Sequence, residues 1–499
     1  MHFTRYSVAV LMAGALASTA CKTDLTALND NPNSPTVAPA AALFTNAAVT
    51  EVRRFAGFSL SGTSLFAEHV SQVQYVDEDR GHLRPGTMDA FFAAYPAELE
   101  DLDKVAAIGV VNKSPNTTGP ARVMQAWGYQ NMTDAFGDIP YSEALQGDVV
   151  GGPQKPKYDT QQSIYTALFK TLTDASSSMK PGSTDPGIGG ADPVYKGDIA
   201  KWQKFSNSLH ARLAMRISRA DAAKSSAELS AAFSAPGGLM TSNADNALVV
   251  WPGDGVFDNP WAANFSGRDD HRISKTLLDT MNALGDPRVA IYAQPTKADP
   301  TKYVGLQNGL DNVTVTPFFN TTSRLGLIFY PGSTVYGTFG TPAGKKTPSY
   351  IMTYAEVSFI QAEAAERSVA GLTPAAAAGF YAAGVTASIT QWGGTAAQAA
   401  AYLAQPGVAY AGGATGLQQI GLQKWIALFT QGTEAWSEWR RTGNPASIKM
   451  GPRAYPDTPN IPRRFLYPIS ESAVNNASLM AAIATQGPDS YYTRVWWDK

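Results

Sequence analysis

The chain has 499 residues, 44% of them hydrophobic and 16% charged, with a formal net charge of −2. Those values describe a folded globular chain, built as two or three lobes or one extended scaffold, and they exclude disorder along its whole length. A near-neutral balance without a basic block leaves no electrostatic footprint for nucleic acid, and a single cysteine, Cys21, excludes an internal disulfide, so packing and hydrogen bonds must hold the fold.

In chain order, residues 1–20 read as an export signal. His2 and Arg5 form a short, weakly basic start, Val8 to Ala17 is an uninterrupted apolar run, and the small residues Ser18, Thr19 and Ala20 follow. The run is shorter than the ~18 apolar residues of a spanning helix, and no later segment reaches that length. Small residues leading directly into Cys21 resemble a bacterial lipoprotein signal, with Ser18 where that class usually carries a large aliphatic residue. Cys21 is therefore the expected lipidation site. A secreted protein with an incidental cysteine, or a reactive thiol, are the alternatives; nothing nearby in the signal would activate the thiol. Residues 21–39 form a polar, proline-punctuated leader, and residues 40–499 form the body.

The body is predicted to be mainly α-helical. In "ARVMQAWGYQNMTDAF" Gly128 sits between Met124 and Met132, where a small residue lets another helix approach closely. Ile164, Leu168, Leu172, Ala175 and Met179 recur at steps of four and three after a cap at Asp159 or Thr160. Trp202, Phe205, Leu209 and Leu213 share one face of the next helix, with Arg212, Arg216 and Arg219 on another. Residues 236–349 break the pattern, being rich in Gly, Pro, Asn and aromatics; only "ISKTLLDTMNAL" reads as a helix there, and "VTVTPFF" and "LGLIFY" read as short strands. Helical periodicity resumes in "YAEVSFIQAEAAERS", with Glu356, Glu363 and Glu366 on its polar side. It continues in a helix opened by Thr373 and Pro374, and in "GLQKWIALFTQGTEAWSEWRRTG", stopped by Gly443 and Pro445. The pattern is that of stacked helical hairpins, without a countable repeat.

Together the stretches "LNDNPNSPT", "QAWGYQNMTDAFGDIPYSEAL", "DPVYKGDIAKWQKFSNSLHARLAMRIS", "YAEVSFIQAEAAER", "QKWIALFTQGTEAWSEWRRTGNP", "IPRRFLYPISE" and "RVWWDK", in this order, resemble the SusD/RagB-like nutrient-binding outer-membrane lipoproteins over nearly the whole mature chain. The resemblance implies tetratricopeptide-like helix pairs carrying a loop-rich ligand-binding part. It also implies a lipid-anchored, surface-exposed outer-membrane protein that captures oligosaccharides or peptides, passes them uncleaved to a TonB-dependent, SusC-like transporter, and needs no cofactor.

The residues themselves contain no paired-histidine zinc motif, no G-x-S-x-G elbow and no phosphate loop. The rival readings are a glycan hydrolase, which needs only two carboxylates, and a structural or adhesive surface protein. Asp77 and Asp79 faintly resemble a calcium loop but lack its closing glutamate, so no metal is expected. Glu434 and Glu438 are read as the polar face of a helix rather than an acid–base pair. His69 reads as structural, and Arg440, Arg441, Arg463 and Arg464 as partners of acids or helix ends. Trp496 and Trp497 read as tail anchors. The ligand-binding candidates are Trp251, Phe257, Trp261 and Phe265, aromatic rings spaced among Gly, Pro, Asp and Asn, with Tyr75 as a second position. A flat ring stacks on the apolar face of a sugar while polar neighbours bond its hydroxyls; the same rings would equally pin the loop to the helices.

Overall fold

A computed structural model describes residues 38–330 and 342–499. The expected signal, and Cys21 with most of its leader, lie outside these residues. The principal helices are α1 (Ala40–Phe58), α2 (Pro85–Phe92), α3 (Glu100–Val111), α4 (Pro115–Phe136), α5 (Gln161–Ser178), α6 (Ile199–Arg216), α7 (Ala222–Ser234) and α8 (Lys275–Ala283), followed by α9 (Tyr354–Glu366), α10 (Pro374–Gln391), α11 (Ala396–Leu403), α12 (Gly413–Ala427), α13 (Gly432–Thr442) and α14 (Asn476–Gln486). Consecutive helices from α3 to α7 pack on one another in turn, as do α9, α10 and α11, with α12 also lying against α9; this is the TPR-like arrangement.

Local chemistry sets the helix starts. Thr160 caps α5 by accepting from the Ser163 N–H, Asp198 caps α6 through Lys201, Asp221 caps α7 through Lys224, and Thr353 caps α9 through Glu356. Thr395 and Gln398 form a full capping box on α11. Thr373 is the N-cap residue of α10 with Pro374 at its first position, but its side chain makes no capping bond. Gly443, at φ +74°, terminates α13 in the left-handed conformation that glycine adopts without strain.

Close approach explains Gly128. A Cβ there would lie 2.0 Å from Glu51 Oε1 of α1 and 2.8 Å from Leu99 Cδ2, so α4 seats against α1 only without a side chain. The same logic holds at Gly384 of α10, where a Cβ would fall 2.8 Å from the Phe359 ring of α9.

Three short antiparallel ladders bind the loops to this scaffold. β1 (Val70–Gln72) pairs with β5 (His271–Ile273), β2 (Ile139–Pro140) with β3 (Tyr158–Asp159), and β4 (Ala247–Val249) with β6 (Ser349–Met352). The β4–β6 pair closes the loop-rich region like a clasp. Inside it α8 forms as expected, but the two expected strands do not. Residues 312–318 are short helical turns, started by Asp311 accepting from the Thr314 N–H at 2.7 Å, and 327–329 is a single 3₁₀ turn. The second segment makes only an isolated antiparallel bridge, Leu325 with Ala293, and in the first Val315 buries itself against Val73 and Leu306; β-branched composition alone does not make a strand.

The helices also carry a buried charge lattice that replaces the exposed polar faces expected from periodicity. Arg212 of α6 grips Glu356 of α9 through two bonds of 2.6 and 2.7 Å. Arg441 grips Glu363 of α9 at 2.6 and 2.8 Å and Glu438 at 2.8 Å, and Lys424 of α12 reaches Glu438 at 3.0 Å. Arg216 pairs with Glu434. Burial opposes ionisation of Glu363, yet the Arg441 guanidinium outweighs it and holds the carboxyl at about 2.

Candidate functional site

The loop 251–265 is built outward from β4. Trp251 is buried and donates from Nε1 to Ser349 Oγ at 2.9 Å, which fixes the loop to β6. The chain then turns back on itself. Asp254 Oδ1 accepts from the Val256 and Phe257 amides at 2.9 and 2.8 Å, Asp258 Oδ1 accepts from Gly255 N–H at 2.8 Å, and Gly253 and Gly255 take the positive φ values the turn requires. The Phe257 and Val256 amides hold the Asp254 carboxyl below its ordinary value. Lys345 ties down the far side through Asp258 at 2.9 Å. Asn259 caps the next helical turn by accepting from Trp261 and Ala262, and Trp261 Nε1 donates to Ala56 O of α1.

The five candidate rings therefore separate. Trp261 and Phe265 offer no face to solvent: Trp261 packs on Phe329 and Phe429, and Phe265 stacks on Tyr330 with centroids 4.7 Å apart. Their expected ligand-binding role is corrected to anchoring, because large aromatic area is buried where the loop meets the helices. Trp251 is likewise 1% exposed, but it edges a groove of about 560 Å³ together with Phe257, which is 43% exposed. Thr45, Asn46 and Val49 of α1 and Lys196 also line it. No sequence signal marks those four, since they lie far from the aromatic loop along the chain. Tyr75 is 58% exposed on a left-handed backbone, φ +54°, with the Arg268 guanidinium 4.7 Å from its ring centroid. Val73 and Val76 on either side are buried and fix this presentation.

The remaining candidates have structural partners. Asp79 accepts from Ser71 Oγ, Gln72 N–H, Asn308 Nδ2 and Gly309 N–H, and Asp77 from the Tyr455 hydroxyl, so the calcium-like loop is spent on protein donors. Among the described residues no three His, Cys, Asp or Glu side chains are placed to hold a metal. His69 meets Trp425 O at 2.9 Å, and burial pushes its pKa down to about 3, leaving the ring neutral. Glu438 is sealed inside the charge lattice, and Glu434, held by Arg216, reaches only a small cavity of about 30 Å³ that Thr433 and Arg212 also line. Arg440 stacks 3.5 Å over Trp436, Arg463 pairs with Asp498 and Arg464 with Asp489. Trp497 is buried and donates to Asp134 at 2.7 Å, anchoring the tail.

A helix-pair scaffold that holds exposed rings on fixed loops defines a ligand-binding class of protein. The comparisons agree. A family model described as starch-binding associating with outer membrane matches residues 32–468, and the chain belongs to this SusD-like family. A solved chitin-binding protein is 28% identical, with a TM-score of 0.79 over 92% of this chain and 100% of its own. A chitin-binding SusD homologue from Flavobacterium johnsoniae is 26% identical, TM-score 0.77, over 92% and 98%. A SusD homologue from Bacteroides uniformis is 25% identical, TM-score 0.76, again over 92% and 98%. No curated protein matches significantly. No helix among the described residues is long and apolar enough to cross a membrane.

Proposed function

We propose that this protein captures oligosaccharides at the cell surface, held to the outer membrane by lipid on Cys21, and passes them intact to a TonB-dependent, SusC-like transporter. The observation that carries the reading is Phe257: an aromatic ring displayed by a loop already ordered by Asp254, Asp258 and Lys345, beside a largely apolar groove that Thr45 and Asn46 also line. Preordering lowers the entropy lost on binding. Phe257 and Tyr75 supply ring faces, Trp251 closes the groove edge, and Trp261 and Phe265 hold the loop. The chitin-binding neighbours make N-acetylglucosamine oligomers the first ligands to try, with starch oligomers second, following the family description.

Calorimetric titration of the mature protein with both oligomer series tests this. Phe257→Ala should weaken binding about tenfold, roughly 1.4 kcal/mol, with an unchanged melting temperature. Binding of neither glycan, or an equal affinity in Phe257→Ala, overturns the assignment. Binding of peptides alone would transfer the site to peptide capture.

A further inference from the structure

The groove beside Phe257 carries a single charged side chain among its lining residues. Lys196 lines it with Thr45, Asn46, Trp251 and Phe257, and no Asp or Glu does. Lys196 is exposed, and its ammonium makes no ion pair or hydrogen bond with the described residues. The acids on the neighbouring segments have other partners. Asp254 accepts from the amides of its own loop, Asp258 pairs with Lys345, Asp198 accepts from the Lys201 amide, and Asp101 from Asn46 Nδ2 at 3.4 Å. None of these carboxylates lines the groove, so the charge a ligand meets there is the Lys196 ammonium.

The backbone holds that charge in place. Lys196 has a φ of +56°, a conformation that strains any residue with a Cβ. The turn around it is over-determined by Asp192, which is 1% exposed. Its Oδ1 accepts from the Val194 and Tyr195 amides at 2.8 and 3.2 Å, and its Oδ2 from the Gly197 amide and Trp202 Nε1 at 3.0 and 2.7 Å. Thr45 Oγ1 donates to Ala191 O at 2.7 Å and ties the same turn to α1. Glycine would occupy position 196 without strain, as Gly197 does next to it at φ +85°, yet the chain carries a lysine there. Strain of this kind concentrates at ligand-binding positions.

We infer that Lys196 sets the charge selectivity of this groove: it admits amino sugars in their N-acetylated, neutral form and rejects the free, protonated amine. The inference rests on the glycan-capture reading and adds a specificity to the same site. The cause is Coulombic. Two like charges brought close together in a solvent-exposed groove repel by enough to cost about tenfold in affinity, and no carboxylate in the lining offsets it. Acetylation turns the ammonium into a neutral amide, which the largely apolar lining accepts.

Titration of the full mature protein with N-acetylglucosamine hexamer and glucosamine hexamer, at mildly acidic pH where the sugar amine is protonated, tests it. The acetylated hexamer should bind about tenfold tighter, and the gap should narrow with added salt. Lys196→Met should bring the two affinities together, Lys196→Glu should favour the free amine, and Lys196→Arg should restore the rejection. Lys196→Gly removes the same charge on a backbone that glycine takes without strain, so the comparison does not depend on the folding of Lys196→Met. Equal binding of the two hexamers by the parent, or a gap that persists in Lys196→Met or Lys196→Gly, overturns the role of Lys196 and leaves the capture reading standing. Binding of starch oligomers alone does the same. Binding of no glycan overturns both.

Discussion

Glu68 shows how one residue couples the loop region to pH. It follows the first helical segment with a left-handed φ of +49° and is buried against the start of α8, where Thr276 donates to Oε2 and the Lys449 amide to Oε1. Burial raises its pKa from 4.5 to about 7, against the lowering effect of those two donors. The folded protein therefore keeps a proton that the unfolded chain releases between those values. Its contribution to stability is full below pH 4.5 and is lost as pH rises through 7, by roughly 3 kcal/mol in all. Glu68→Gln should flatten that part of the profile, since the amide keeps an acceptor for the Lys449 amide and carries no charge. Urea midpoints at pH 5 and pH 8 read the change; a slope as steep as in the parent would assign it to other groups.

At the scale of elements, the contact between α1 and α4 is set by the absence of a side chain. Gly128→Ala places a methyl 2.0 Å from Glu51 Oε1, and Glu51 is itself fully buried with neither carboxylate oxygen hydrogen-bonded. Burial, with the nearby Glu98 carboxylate, raises the Glu51 pKa well above its ordinary value. The side chain can move only by disturbing the surrounding packing. Overpacking of this kind costs roughly 1–3 kcal/mol, and a thermal or urea melt should show Gly128→Ala destabilised by that amount. A melt unchanged from the parent would mean that α1 shifts freely. The helix faces explain why periodicity misled elsewhere: α6, α9 and α13 bury their charged sides too, because helices flank them on both sides. A polar stripe seen in sequence does not distinguish water from a charged neighbour.

Across the whole molecule, the lattice of Arg212, Arg216, Lys424 and Arg441 with Glu356, Glu363, Glu434 and Glu438 ties together helices distant in sequence. Removing one cation strands buried carboxylates, which is costlier than the net worth of the pair. Arg441→Met should lose about 3–5 kcal/mol at neutral pH. The loss should be smaller at acid pH, because Glu363, no longer held at about 2, can protonate. Denaturation at two pH values checks both parts. Attachment is a property of the same scale. Cys21→Ser should move the protein from the membrane fraction to the soluble one; unchanged fractionation would remove the lipid anchor from the account.

Fold class was legible because apolar spacing, caps at Thr160 and Thr353, and small residues at Gly128 are local features that the backbone reads within one or two turns. The aromatic loop was legible as a place, from Trp251 to Phe265, but not as a set of roles. Which ring faces water depends on whether α1 and Phe429 lie behind it, as they do for Trp261, or an open groove does, as for Phe257. Local pattern thus determined the helices and where the loops fall. Burial decided everything chemical about the charged and aromatic side chains, because desolvation and pairing are set by neighbours hundreds of residues away that exist only once the chain has folded.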